Sequence, residues 1–96
     1  MALPKATVFE AFGLRFTRYR FAAAGDELPL HQHDFDHLSL VDLGEVEVFD
    51  GAGPESRRIA LDPEAQPLLF RAGRPHGLRA LTAGAVVLNV GPKVSP

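Results

Sequence analysis

Proline and glycine recur so often along this chain that an uninterrupted helix of any length has nowhere to form. Eight prolines and nine glycines are spread through 96 residues at short intervals. A proline inside a helix removes a backbone donor and clashes with the preceding turn. Strands are the expected element, at about 6–12, 14–21, 28–33, 37–43, 45–49, 56–61, 67–72, 76–81 and 85–91, each rich in Val, Leu, Phe or Thr and bounded by Gly, Pro or Asp. The clearest alternation is Glu45-Val46-Glu47-Val48, with one apolar and one charged face, as a half-buried antiparallel strand requires. The turn-forming run Asp50-Gly51-Ala52-Gly53-Pro54 follows it, so the segments on either side are expected to form a hairpin. Ala22-Ala23-Ala24 can start a helical turn, but Gly25 and Pro29 stop it there. Many short strands with frequent turns point to an all-β sandwich or barrel, and closure also removes exposed edges.

A chain of 96 residues fits one hydrophobic core, so a single domain over 1–96 is expected, with fraying at Met1 to Pro4 and Pro92 to Pro96. Apolar residues at 46% and charged residues at 23% place it among folded globular proteins rather than disordered segments. The net charge is −2 and the arginines are scattered among twelve carboxylates, which is a poor footprint for a phosphate backbone. No nucleic-acid partner is expected. The opening residues lack a basic start followed by an apolar run, and no window approaches the ~20 apolar residues of a spanning helix. The expectation is therefore no membrane partner and a cytoplasmic location.

There is no cysteine, so any metal must be held by nitrogen or oxygen. Only four histidines occur, and three of them crowd into His31-Gln32-His33-Asp34-Phe35-Asp36-His37. Residues two apart on a strand share a face, so His31 and His33 are expected to project side by side. His37 lies beyond a polar break suited to a turn, and can return toward the same point from the neighbouring strand. His76 must be brought there by the fold. His-x-His alone is a weak pattern, because a strand histidine is more often a surface or satisfied core residue than a ligand. Neutral imidazole nonetheless suits first-row divalent metals.

The spacing carries more than the composition does. From Gly25 there are five residues to His31, then His31-x-His33, three residues to His37, and six more to Gly44. This resembles the first signature of the cupin superfamily, which has glutamate where this chain has His37. Arg71-Ala72-Gly73-Arg74-Pro75-His76 is similar to the second signature in its Gly and His, while Arg71 replaces the usual Pro and Ala80 the usual Asn.

The resemblance implies an antiparallel cupin jelly-roll β-barrel with one divalent transition metal ion (Fe, Mn, Zn, Ni or Cu) held by His31, His33, His37 and His76. Gly25, Gly44 and Gly73 then fall at turns. Four imidazoles carry no charge, so a bound ion keeps its full +2 and is a stronger Lewis acid than in a carboxylate-bearing shell. Two functional classes stay open. One is a metalloenzyme acting on a small organic molecule, dioxygenase-, isomerase- or cyclase-like; the other is a non-catalytic metal-dependent binding or sensor module. A purely structural metal is a third, weaker option. Arg74, near the expected barrel mouth, is a candidate for clamping a substrate carboxylate, and Tyr19, the only tyrosine, for an acid, base or anchoring hydroxyl. Each has a bland alternative, a surface arginine and a half-buried barrel tyrosine. Asp34 and Asp36 are expected mainly as solvated turn residues, with a role as imidazole acceptors the alternative. A homodimer is expected, with Val8, Phe9 and Phe12 as contact candidates.

Overall fold

The computed structural model of the protein describes residues 2–93, and every regular element among them is a β-strand. The strands are β1 (Lys5–Ala11), β2 (Leu14–Arg20), β3 (Glu27–His31), β4 (His37–Leu43), β5 (Val46–Phe49), β6 (Arg58–Leu61), β7 (Leu68–Phe70), β8 (His76–Ala80) and β9 (Val86–Pro92). They form a five-stranded sheet in the order β1-β2-β9-β4-β7 and a four-stranded sheet in the order β3-β8-β5-β6, with antiparallel pairing throughout. The two sheets face each other as a jelly roll. No helix among the described residues is long and apolar enough to cross a membrane.

Local chemistry accounts for the pairings. Val46 and Val48 are buried, and the expected hairpin sets Val46 opposite Leu61 and Val48 opposite Ile59. On its outer face Glu47 accepts from Arg58 at 2.8 Å across the two strands. The β1–β2 hairpin turns through Phe12 and Gly13, both with positive φ (55° and 72°), the backbone that a tight two-residue hairpin demands. Gly44 also has positive φ, and a Cβ there would overlap Thr82 Oγ1 and lie 3.1 Å from Ala85 Cα. Only glycine fits that corner.

The core is drawn from both sheets: Val41, Phe70 and Val87 from one meet Val46, Val48, Leu78 and Ala80 from the other, with Phe21 fully buried beside them. Each large apolar side chain buried in this way contributes about 1.5–3 kcal/mol relative to its exposed state. Asp26 is buried as well, and its carboxylate accepts from Ala2 N and Ala23 N, both at 3.1 Å. Those bonds hold its pKa below the usual carboxylate range.

Two expectations are corrected. The segment from 28 to 33 is not one strand, since β3 ends at His31 and its pairing with β8 shifts register between Leu28 and His31. Pro29 lies inside that shift and has no N–H to donate to the ladder. The expected fraying is also absent where it can be judged: Ala2 O accepts from Glu27 N at 3.1 Å, and Pro92 pairs with Leu14. Met1 and residues 94–96 lie outside the described residues.

Candidate metal centre

All four histidines meet at one end of the space between the sheets, each delivered by a different device. His31 closes β3 and pairs with His76 at the start of β8. His33 stands beyond the strand end, and its ring lies edge-on to His31 with centroids 4.9 Å apart. His37 opens β4 in the opposite sheet, so it approaches from across the barrel rather than from a neighbouring strand of the same sheet. The loop before β8 is tied to the loop before β4 by Gly73 N donating to His33 O at 2.7 Å and Ala72 N donating to Asp36 Oδ1 at 2.7 Å. The β3–β8 pairing sets His76 beside His31, and these two bonds tie that pair to the segment carrying His33 and leading to His37. They also settle Asp36, which anchors a loop and accepts from no imidazole, while Asp34 is exposed.

Ligand atoms of His31, His33 and His76 all lie within 4.8 Å of one another. His37 lies outside that group of three but touches it at His76, with the two Nε2 atoms 3.1 Å apart. Two nitrogens that each bind one ion at about 2.1 Å with a right angle between them are about 3.0 Å apart. The observed separation suits a shared ion.

The hydrogen-bond network decides which nitrogens carry lone pairs. His31 Nδ1 donates to Pro29 O at 2.8 Å and His76 Nδ1 to Arg74 O at 3.0 Å, which leaves each Nε2 unprotonated. Ser39 Oγ donates to Asn89 Oδ1 at 2.5 Å, so its lone pairs face His37 Nδ1 at 3.5 Å. That favours a proton on Nδ1 and a lone pair on Nε2 there too. Two lone pairs facing each other at this distance need a proton or a metal ion between them.

Electrostatics keep these rings neutral. His37 and His76 are only 5% and 4% exposed. Burial first, then the neighbouring His76 and His33 imidazoles, lower the His37 pKa to about 4. Burial also lowers His76, reinforced by His31 and His33 and opposed by the bond to Arg74 O. His33 is lowered by burial and by His31, with Asp34 pulling the other way. Neutral imidazole is the ligating form, so near pH 7 these residues are ready to bind. The donor set and its tautomers fit a divalent transition ion.

Phe70 stacks on His76 (centroids 4.2 Å, 25° between planes) and Phe35 on His33 (4.8 Å, 24°), which fixes both rings. Tyr19 packs against the core and also lines a small cavity of about 60 Å³ with Thr17, His33, His37 and Asn89. Burial raises its pKa, so the phenol stays protonated near neutrality. Arg74 lines a separate cleft of about 370 Å³ that also reaches His76. Sequence reasoning missed Ser39 and Asn89. Ser39 was within reach, because it shares a strand face with His37, whereas nothing in the chain marks Asn89.

No family model matches the chain, and no curated protein matches it by sequence. Solved structures do. A cupin-2 domain containing protein from Shewanella frigidimarina is 18% identical with a TM-score of 0.72, over 97% of this chain and 84% of that one. An RmlC-like cupin protein from Desulfovibrio desulfuricans is 26% identical with a TM-score of 0.73, over 96% and 85%. A variant of Bacillus subtilis oxalate decarboxylase is 21% identical with a TM-score of 0.78, over 97% of this chain but only 26% of that one. Another structure of oxalate decarboxylase from that organism is described by its Mn(II) centres. The fold is thus the cupin jelly roll.

Proposed function

We propose that this cupin-fold chain binds one divalent transition metal ion through His31, His33, His37 and His76 and acts on a small organic molecule there. The observation that carries the reading is the set of Nδ1 contacts: Pro29 O, Arg74 O and Ser39 Oγ each face the Nδ1 of one ring and leave its Nε2 to ligate. The likeness in fold to a decarboxylase described by its Mn(II) centres supports a divalent metal as the ion. A bound ion would supply Lewis-acid polarisation of an oxygen and, if redox-active, electron transfer, which accommodates dioxygenase-, isomerase- and cyclase-like reactions.

The chain's own residues orient and enclose. Phe35 and Phe70 hold ligand rings in place, Tyr19 offers a protonated hydroxyl beside His33 and His37, and Arg74 is available to bind an anionic group. No Asp or Glu lines the small cavity beside His33 and His37, so that side lacks a carboxylate base. This favours, as the second reading, a metal-dependent binding or sensor module without turnover.

Elemental analysis of protein purified without added metal is the test. His76→Ala is expected to lose most of the metal and Arg74→Ala to keep it. Equal retention in both variants would refute the proposed centre.

A further inference from the structure

β7 is the outer strand of one sheet and β6 the outer strand of the other, and no pairing joins them. Between these edges lies the cleft of about 370 Å³, within the size range of small-molecule sites, about 300–1,000 Å³. The cavity beside Tyr19, at about 60 Å³, is large enough for a few waters and too small for an organic ligand. The larger cleft is also lined by Val48, Phe70 and His76, so it borders the histidine cluster at His76.

Its walls combine two chemistries. Ile59 and Leu69, which are 49% and 47% exposed, offer uncovered apolar surface. Arg57, Arg71 and Arg74 converge on the same cleft against a single carboxylate, Asp50. Asp50 is already committed to its own loop, accepting from Arg57 N at 2.8 Å and meeting Arg57 Nε only at 4.0 Å. Among the described residues, Arg71 and Arg74 form no ion pair. Guanidinium groups gathered without counter-charge bind planar anions, and carboxylate matches their forked donors.

We propose that the β6–β7 cleft binds a small organic carboxylate, its apolar body on Ile59 and Leu69 and its anionic group on Arg71 and Arg74. Delivery of such a ligand to a metal rests on the proposed function, whereas the anion site stands without it. The substrate class of the centre is then a monocarboxylate with an apolar body.

The full chain, kept in EDTA, is titrated with sodium benzoate and separately with benzamide, and backbone-amide NMR shifts are followed. Benzoate is expected to move Ile59, Leu69 and Phe70, benzamide to bind roughly tenfold more weakly, and Arg71→Gln or Arg74→Gln to weaken benzoate roughly tenfold. Both arginines are exposed, so the variants keep the fold, which unchanged melting temperatures will verify. Equal binding of benzamide, undiminished binding in the arginine variants, shifts confined to His33 and Gly91, or no shifts at all would each overturn the inference. Failure of the metal centre is read separately, by elemental analysis.

Discussion

At the scale of single residues, the centre depends on which nitrogen holds a proton. His33, His37 and His76 have folded pKa values below the free value of about 6.5, with His37 at about 4. Between those limits the unfolded chain binds more protons than the folded one, so stability rises with pH through this window. The contribution is complete above about 6.5 and lost as pH falls through about 4. Metal-free protein is therefore expected to melt at progressively lower temperature from pH 6.5 to 4, and a flat profile would contradict the assignment. Acidification below about pH 6 should also begin to discharge bound metal, because protonated imidazole cannot ligate. Stoichiometric metal at pH 4 would argue against four imidazole ligands. Ser39 acts one step away: Ser39→Ala removes the acceptor facing His37 Nδ1, and metal affinity is expected to fall about 10–100-fold with the fold intact. Competition with a chelator of known affinity measures this.

At the scale of elements, the strand pair that brings in His76 depends on a close approach. Phe49 lies opposite Gly77 in the β5–β8 pairing, and a Cβ at position 77 would sit 2.6 Å from one ring carbon of Phe49 and 3.1 Å from Leu28 O. Phe49 is 7% exposed, and its ring would have to shift within the cleft it lines. Gly77→Ala is therefore expected to cost about 1–3 kcal/mol, read by chemical denaturation. The nine strand segments were legible in the sequence, because Gly and Pro mark their ends and Val46 and Val48 show the inward face. The end of β3 was not. A proline-induced register shift looks like continuous strand in an apolar pattern, and only the partner strand reveals it.

At the scale of the whole molecule, β1 is the exposed feature. It pairs only with β2, six of its seven residues are exposed, and its outer edge offers unpaired backbone groups. Val8, Phe9 and Phe12 are 54%, 52% and 98% exposed around it. An exposed apolar edge of this kind favours association, and we propose that it pairs two copies of the chain. Sedimentation is expected to show a dimer, and Val8→Lys with Phe12→Asn a monomer. Asn-Gly suits the positive-φ turn that Phe12 and Gly13 occupy, so loss of the dimer would not reflect a broken hairpin. A monomeric parent chain would exclude this interface.

The linear chain by itself determined the all-β class and the turn positions, because proline, glycine and alternation are local properties, and its histidine spacing raised the expectation of a shared imidazole site. Tertiary structure alone decided that His37 approaches from the opposite sheet, that Ser39 and Asn89 stand behind it, and that Arg57, Arg71 and Arg74 share one cleft. Those relations join residues up to 50 positions apart. They exist only once two sheets have packed face to face and two loops have been tied by hydrogen bonds to His33 O and the Asp36 carboxylate.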